Sequence, residues 1–267
     1  MCHKTSGYKS DLTDAQGQII EPLVVKKRQG PGRPMKLELR AVVNAILYVL
    51  RTGCQWAYLP KEYPNFNSVY YHYHKWCWDD TWEAINTTLR EQVRQKAERE
   101  AQPSLAIIDS QSVKTTEVGG EHGFDGGKKV NGRKRHLLVD TMGNVLKVVV
   151  HAANIGEREG AKLLLGQVPD ALWQRLDKIL ADGGYDGDEF AFWVEDECSV
   201  ELEISLRPTS SKGFVLLPRR WVIERTFAWL GRYRRLAKDF EKLVENSAGM
   251  IYLASAHRLL RHLAPAA

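Results

Sequence analysis

The segment SLAIIDSQSVK, Ser104–Lys114, decides how the chain is expected to fold. Residues 105–108 form an unbroken apolar run, which is typical of a strand buried on both faces of a sheet. Asp109 follows directly, and the polar residues after it predict that the strand ends there. At such a position a carboxylate either caps the next turn or faces a ligand at the rim of the sheet. The segment alone favours capping, so a ligand role for Asp109 depends on partners elsewhere in the chain.

A second apolar strand ends in the same way. The residues KILA at 178–181 are followed by Asp182 and the loop GGYDG. A right-handed crossover between the two strands would place them side by side and parallel. Asp109 and Asp182 are therefore expected at one edge of the sheet. Asp186, in the same loop, is the competitor for the second carboxylate.

The elements after Pro103 predict a mixed α and β fold. The hydrophobic patterns indicate strands at 104–108, 136–140, 145–152, 178–181 and 199–206, and helices at 157–168, 188–197, 218–238 and 245–263. The first three strands form an antiparallel meander, with a tight turn at 142–144. The order predicts a mixed five-stranded sheet with flanking helices.

A single acid lies in the basic helix predicted at 218–238. The run from Lys212 to Lys238 has eight basic residues and one acid, Glu224. At about 100° per residue, Glu224 lies opposite the apolar stripe of this helix. Such a glutamate is usually only solvated. Its helical neighbours Ala228 and Gly231 are small enough to let a bulky ligand approach, so Glu224 is the candidate third carboxylate.

Three carboxylates without clustered His or Cys make an all-oxygen site. Such a site suits Mg²⁺ or Mn²⁺ rather than zinc, and a bound cation would relieve the repulsion between the carboxylates. Two ions about 3.5–4 Å apart can activate a nucleophilic oxygen and stabilise a leaving oxygen in phosphodiester displacement. We therefore predict Asp109, Asp182 and Glu224 as catalytic ligands of two Mg²⁺ or Mn²⁺ ions.

The charge distribution indicates a nucleic-acid partner. Of the 267 residues, 38 are Lys or Arg and 33 are Asp or Glu, and the excess is concentrated in residues 128–135 and 212–238. Such clusters suggest a polyanion-binding surface, and a solvated charged face is the alternative. The predicted DNA contacts are Arg33, Tyr70, His74, Lys75, Lys114, Lys128, Lys129, Arg133, Lys134, Arg135, Arg219, Arg220, Arg225, Arg232, Arg234 and Arg235.

Residues 1–102 are predicted to form a helical N-terminal domain. A capping box at 13–16 opens a short helix that should end near Pro22. A basic Gly/Pro-rich stretch follows at 26–36, and we expect a plain linker there. Its GRP core, around Arg33, resembles the minor-groove hook of some DNA-binding proteins.

Three further helices complete this domain. An amphipathic helix at 42–50 is capped by Gly53. An aromatic helix at 69–78, N-capped by Asn67 or Ser68, and a third helix at 80–100 follow. A helix-turn-helix would place the aromatic helix in the major groove of DNA, whereas core packing of its rings is the alternative. The boundary at 102–103 separates this DNA-binding or dimerisation domain from a catalytic domain at 103–267.

Several classes of protein are not expected. The four cysteines form no CxxC pair, which argues against a zinc site or a disulfide framework. No apolar run reaches the length of about 20 residues that a membrane span needs, and the polar start is unlike a signal peptide. A cytoplasmic, nucleoid-associated protein is therefore expected.

Four stretches of the chain resemble the DDE transposases of bacterial insertion sequences, specifically insertion-sequence family five. They read IDSQSVKTT, GGKKVNGRKRHLLVDTMGNVL, ILADGGYDG and RRWVIERTFAWLGRYRRLAKDFE, and the N-terminal YKSDLTDAQGQIIEPLV and VVNAILYVLRTGCQWAYLP are similar to that group's own N-terminal region. The resemblance implies an RNase H-like catalytic domain with Asp109, Asp182 and Glu224 as the metal-binding triad. It also implies transposition of an element bounded by inverted repeats, with double-stranded DNA and a second copy of the chain as partners.

The chain departs from the family pattern at three positions. Gly17 stands where the group usually carries Trp, which predicts a looser first helix. Arg220 fits the signature around Glu224, but the outer Tyr and Lys positions hold Leu217 and Gly231. Whether Arg232 or Arg235 takes over the basic role is open. The rival functions are a non-catalytic or domesticated DNA-binding protein and another RNase H-like nuclease, such as a junction resolvase.

Overall fold

The computed structural model describes residues 7–24, 37–205 and 219–265. Arg33, Leu217, the polar loop expected at 207–217 and the start of the helix expected from residue 218 lie outside these ranges. The helices are α1 (Asp14–Val24), α2 (Leu39–Thr52), α3 (Phe66–Trp78), α4 (Thr81–Lys96), α5 (Glu157–Leu165), α6 (Asp170–Trp173), α7 (Asp188–Cys198), α8 (Trp221–Leu230) and α9 (Val244–Leu263). The strands are β1 (Leu105–Lys114), β2 (Gly123–Asp125), β3 (Val130–Asp140), β4 (Val145–Ala152), β5 (Lys178–Ala181) and β6 (Glu201–Ile204).

The six strands form one mixed sheet. Its main order is β4-β3-β1-β5-β6, and the short β2 pairs with the first residues of β3. Strand β1 is antiparallel to β3 and parallel to β5, and β5 is parallel to β6. The predicted crossover therefore does place β1 beside β5. This arrangement fits the RNase H-like sheet that the resemblance implies.

Two layers of helices cover the sheet. On one face, Ala106, Ile108 and Leu138 pack against α5, α6 and α7. On the other face, Ile107 and Leu137 belong to a larger core that includes α1–α4, α8 and α9. Because neighbouring residues of a strand point to opposite faces, the unbroken apolar run of β1 supplies both cores.

Strands β1 and β3, which pair with each other, are both longer than the sequence predicts. The expectation that β1 ends before Asp109 is wrong, because its antiparallel ladder with β3 continues as far as Lys114 and Gly132. Strand β3 likewise begins at Val130 rather than at residue 136. The parallel ladder with β5, however, ends at Ile107 and Leu180. Asp109 therefore lies within its own strand but beyond the end of the neighbouring one.

Helix α8 is shorter than predicted. It spans Trp221–Leu230, and a separate 3-10 turn follows at Arg234–Leu236. Gly231, expected to be a helical neighbour of Glu224, therefore lies just past the end of the helix. Tyr233 and Leu236, which follow α8 in the chain, are buried although they lie outside the helix.

The N-terminal helices follow their local signals except at the N-cap of α3. The capping box is present, since Thr13 N–H donates to Gln16 Oε1 and Gln16 N–H donates to Thr13 Oγ1. Gly53 caps α2 with a φ of 73°. Helix α1 ends at Val24, two residues after Pro22, as expected. Asn65, not a later residue, caps α3 by accepting from Asn67 N–H at 2.9 Å.

Gly17 does not leave a gap in α1. A Cβ atom at this position would lie 2.8 Å from Nε of Arg40. The Arg40 guanidinium donates to the carbonyl of Leu12 and to Asp14 Oδ1, at 3.0 and 2.7 Å. Arg40 therefore fills the space beside Gly17 and ties α2 to the start of α1.

The boundary predicted at 102–103 does not separate two hydrophobic cores. Ile85 and Leu89 of α4 belong to the same core as Met250 and Leu253 of α9. Tyr252, also on α9, accepts a hydrogen bond from Val148 N–H of β4 at 3.0 Å. The last helix thus joins the N-terminal helices to the sheet.

Candidate active site

Asp109 lies where β1 continues past the end of β5. We call this edge the β1–β5 notch, formed by β1 beyond Ile107 and by the loop after Ala181. Asp109 Oδ1 accepts from Ser110 N–H at 2.6 Å. Burial and the nearby Asp182 raise the pKa of Asp109 to about 6, while that hydrogen bond and the cations Arg220 and Lys128 act against the rise. Asp109 is thus a largely buried carboxyl group close to Asp182.

Asp182 begins the loop on the other side of the notch. It follows the last residue of β5, as predicted, and its Oδ1 accepts from Gly184 N–H at 2.8 Å. This is the capping role considered for such residues, and it leaves Oδ2 3.6 Å from the Arg220 guanidinium. Asp186, at the other end of the same turn, is exposed.

Glu224 reaches the same region from α8. Its side chain is 52% exposed, and its Oε1 lies 3.3 Å from Arg220 Nη2, one helical turn before it. Arg220 therefore contacts both Asp182 and Glu224. Two of the three carboxylates predicted from the sequence thus contact this guanidinium, and its charge acts against the rise in the pKa of Asp109.

The carboxylates are not drawn together as a closed metal cage. Among the described residues, no group of three or more His, Cys, Asp or Glu side chains is arranged to hold a metal ion. The chemistry of the donors nevertheless fits a hard cation, because all of them are oxygen atoms. Arg220 already supplies one positive charge between two of them. In the free chain, the Arg220 guanidinium thus takes a place that a metal ion could otherwise occupy.

Three consecutive predicted DNA contacts, all in β3, are buried. Arg133, Lys134 and Arg135 are at most 4% exposed, so the expectation of an open basic face at 128–135 is wrong for them. Arg133 donates to the carbonyls of Glu121, Glu241 and Lys242, and Arg135 donates to those of Leu236 and Lys238. These arginines hold the chain after α8 against β3.

Two more arginines are engaged within the protein. The Arg225 guanidinium lies 4.4 Å from the ring centre of Trp221 and 4.5 Å from that of Trp229. It also donates to the Met142 carbonyl at 3.1 Å. Arg235 is 7% exposed and pairs with Glu241 at 2.8 Å. Both residues are therefore in internal contacts in the free chain.

The remaining predicted contacts lie nearer the surface. The side chain of Lys128 is 44% exposed. Tyr70 of α3 is 38% exposed, whereas Tyr73 and Trp76 of the same helix are core residues, so packing accounts for part of its aromatic face. His74 is half-buried and its Nδ1 lies 3.0 Å from Asn246 Oδ1. The others that are exposed are Lys75, Lys114, Lys129, Arg219, Arg232 and Arg234.

A wide cavity lies beyond the C-terminal end of β1. It has a volume of about 1060 Å³, and its walls include Trp56, Tyr70, Phe240 and Lys238. None of the three carboxylates lines it. The candidate active site is therefore the open notch and not this cavity.

Sequence reasoning missed a polar cluster beside the notch. Glu157, the first residue of α5, accepts from Ser110 Oγ at 2.5 Å and contacts Lys128, Lys134 and His136 at 3.2–3.3 Å. An acidic residue in the first turn of a helix is ordinary helix chemistry. No spacing in the sequence therefore distinguishes Glu157 from a surface residue.

Comparisons with known proteins point to one group. A family model described as "Transposase DDE domain" matches residues 100–259, more than half of the chain. A second model, for a transposase domain of the IS4/5 family (DUF4096), matches residues 12–86. No solved structure shows a significant match.

Two curated relatives are similar to parts of the chain. A protein named as a transposase for insertion sequence element IS402 of Burkholderia cepacia is 32% identical over 117 residues, which cover 42% of this chain and 54% of the relative. One named for insertion sequence element IS6501 of Brucella ovis is 29% identical over 132 residues, covering 48% of this chain and 98% of the relative. The match with the first relative thus spans about half of its length. Among the described residues, no helix is long and apolar enough to cross a membrane.

Proposed function

The chain belongs to the DDE transposases of insertion sequences, and from this premise we propose that it mobilises such an element by cutting and joining DNA. It would bind the terminal inverted repeats of the element and cleave the DNA at its ends by hydrolysis. The freed 3′-hydroxyl would then be joined to target DNA. One observation carries the proposal: Asp109 and Asp182 follow paired residues of β1 and β5 at the β1–β5 notch, and Arg220 joins Asp182 to Glu224. The sheet order supports an RNase H-like fold for this domain.

The three carboxylates would hold divalent metal ions. Their all-oxygen chemistry favours Mg²⁺ or Mn²⁺. When bound, two such ions supply activation of the attacking oxygen and stabilisation of the leaving oxygen. Arg220 would give up its contacts with Asp182 and Glu224 and become available to a DNA phosphate.

The surface basic residues would hold the DNA backbone. Lys128 lies just before β3, and Arg219 and Arg232 lie on either side of α8, which carries Glu224; all three are exposed. Such contacts position the duplex without reading its sequence. Residues 1–102, matched in part by the second family model, would recognise the repeats or pair two chains. Because an element has two ends, a homodimer or larger assembly acting at the bacterial nucleoid is the proposed working unit.

Substitution in the notch tests this proposal. We expect Asp182→Ala to abolish cleavage of a duplex carrying the element's terminal repeat in Mg²⁺ or Mn²⁺. Binding of the same duplex in Ca²⁺ should stay nearly unchanged. Asp186→Ala is the matched control, because Asp186 lies in the same loop but is exposed outside the cluster. Full cleavage by Asp182→Ala would contradict the assignment of the triad.

The products separate the proposal from its rivals. Joined product from the element's own ends supports a transposase. Cleavage without joining supports another RNase H-like nuclease, and binding without either reaction supports a non-catalytic DNA-binding protein.

A further inference from the structure

The polar cluster around Glu157 lies on the opposite face of β1 from the main core. Asp109 and Ser110 are neighbours in β1, so their side chains point to opposite faces of the sheet. Ser110 faces α5, whose first residue is Glu157. The cluster therefore lies at the β1–β5 notch, next to Asp109 along β1 but on the opposite face of the sheet.

Glu157 also reaches the loop of Asp182. A Cβ atom at Gly184 would lie 3.0 Å from Asp182 Oδ1 and 3.5 Å from Cγ of Glu157. Glu157 and Asp182 thus both lie close to Gly184, and Glu157 is near the Asp182 loop, whereas Asp109 points to the other face of β1.

The Glu157 carboxylate is held in one place. Lys134, whose side chain is 5% exposed, lies 3.3 Å from Oε1, and His136, which is fully buried, lies 3.3 Å from Oε2. Burial alone would raise the pKa of Glu157, but contacts from His136 and Ser110 and the charges of the two lysines hold that pKa well below its usual range. Glu157 is therefore a carboxylate that stays charged.

Close packing at Gly160 holds α5 against the sheet. A Cβ atom at Gly160 would lie 2.3 Å from the His136 ring and 2.5 Å from the His151 ring. His136 and His151 stack and are joined by a 2.8 Å contact between Nδ1 and Nε2. Because only glycine fits there, α5 lies tightly on β3 and β4, and Glu157 at its start has little freedom.

Lys128 is the one member of the cluster that faces both Glu157 and solvent. Its Nζ lies 3.2 Å from Glu157 Oε1, 3.3 Å from Ser110 Oγ and 3.4 Å from the Ser110 carbonyl. Its main chain is held as well, because Lys128 N–H donates to Asp125 Oδ1 at 3.0 Å. The side chain is 44% exposed. The Lys128 ammonium group thus has three oxygen atoms within 3.4 Å, and it lies beside the residue that follows Asp109.

We propose that Lys128 binds a DNA phosphate next to the cleavage position and that Glu157 is the positioning residue that aims it. This inference rests on the proposed function, because it supposes that DNA enters the β1–β5 notch. It replaces the general basic run expected at 128–135 with one phosphate contact and one carboxylate that orients it. Glu157 acts through Lys128 and does not touch the DNA.

The salt dependence of DNA binding tests the proposal. The probe is a short duplex of mixed sequence, titrated with the full chain in Ca²⁺ at several salt concentrations. Each lost phosphate contact reduces the slope of log K against log salt by about 0.9. We expect this reduction for Lys128→Ala and restoration of the slope for Lys128→Arg. Lys162→Ala is the matched control, since Lys162 pairs with Glu159 of the same helix at 3.4 Å.

The sign of the Glu157→Gln effect separates positioning from simple repulsion. Removing a negative charge beside DNA strengthens binding if Glu157 only repels phosphates. We expect severalfold weaker binding instead, because Lys128 loses its orientation. The double variant Lys128→Ala/Glu157→Gln should bind no more weakly than Lys128→Ala, since a positioning residue has no effect without the residue it positions. Glu159→Gln is the control for the charge change.

Two results would overturn the inference. One is a Lys128→Ala slope equal to that of the unsubstituted chain, and the other is tighter binding by Glu157→Gln. If Glu157→Gln does not fold, Ser110→Ala replaces it, because it removes one contact of both Glu157 and Lys128 and leaves every charge in place. An unsubstituted chain that fails to bind or cleave DNA would instead contradict the proposed function.

Discussion

Arg220 links the second and third carboxylates of the notch through contacts of 3.6 and 3.3 Å. Any divalent cation that binds there competes with this guanidinium. We therefore expect Arg220→Gln to bind Mn²⁺ or Ca²⁺ about three- to tenfold more tightly, since each partly exposed ion pair is worth about 0.2–1 kcal/mol. Calorimetry of the DNA-free protein measures the change.

Arg261→Gln is a suitable control for this prediction. Arg261 is exposed near the end of α9, and its substitution by Gln removes the same charge from the protein. Its metal affinity should equal that of the unsubstituted chain. Weaker metal binding by Arg220→Gln would show that the guanidinium organises the carboxylates instead of competing with the metal.

His257 makes the stability of the fold depend on pH. Its Nδ1 lies 2.9 Å from the Tyr233 hydroxyl, and burial, reinforced by Arg51 and Arg261, lowers the pKa of His257 to about 4. The unfolded chain has the ordinary pKa of 6.5. The folded state thus resists protonation, so this contribution is complete above pH 6.5 and is lost as the pH falls towards 4.

The expected size of the effect is measurable. When the pH is lowered from about 7.5 to about 5, the titration of His257 should reduce the free energy of unfolding by about 2 kcal/mol. His257→Gln retains an acceptor for Tyr233 but does not titrate. Urea unfolding at both pH values should therefore show a smaller acid loss in the variant, and an equal loss in both proteins would contradict the shift.

Helix α8 is oriented by a stack of aromatic and cationic side chains. The Arg225 guanidinium contacts the rings of both Trp221 and Trp229. The Arg258 guanidinium of α9 also contacts Trp229, at 4.3 Å from its ring centre. Arg258 also donates to the Gly143 carbonyl at 3.1 Å. The stack ties α8 to the β3–β4 turn, and α8 carries Glu224 to the notch.

Arg225→Ala should therefore act on stability and not on DNA affinity. We expect it to lower the free energy of unfolding by about 1–3 kcal/mol, the sum of its ring contacts and its hydrogen bond to Met142. The salt slope of DNA binding should not change. Arg232→Ala, at an exposed position, should show the opposite pattern, with stability kept within about 0.5 kcal/mol. Unfolding curves and binding titrations of the two variants distinguish a structural arginine from a DNA contact.

Element type was predictable where one periodicity dominated. Strand β5 has the predicted ends at 178 and 181, and α9 begins one residue before its predicted start. The predicted length of an element was wrong where long-range pairing determined that length. The polar residues after Asp109 stay in β1 only because β3 pairs with them, and no local pattern records that ladder. Likewise, α8 ends before the basic run does, because Arg235 turns inward to Glu241.

The site was predictable through topology and not through side-chain contacts. The crossover placed Asp109 near Asp182, because Ile107 pairs with Leu180 and each aspartate comes two residues later in its own segment. The burial of Arg133 and Arg135 was not predictable, because most of their acceptors are carbonyls about one hundred residues further along the chain. Glu157 was missed for the same reason, since its partners come from β1, β3 and the segment before β3.

The molecule as a whole depends on α9. This helix packs on α3 and α4 before the predicted boundary and on β4 after it. Tyr73 of α3 donates to the Asn246 carbonyl of α9, and Asn86 of α4 donates to the Val145 carbonyl of β4 at 2.9 Å. The two sequence regions matched by separate family models therefore share one core.

We accordingly expect the full chain to unfold in a single transition. Far-ultraviolet circular dichroism and tryptophan fluorescence should give coincident urea curves, because tryptophans lie on both sides of the boundary at 102–103. A fragment of residues 103–267 would expose the face of α9 that packs against α4, including Met250 and Leu253. It should bind a hydrophobic dye and lack a cooperative transition. Two separated transitions, or a fragment that unfolds cooperatively alone, would instead show that the family boundary is also a folding boundary.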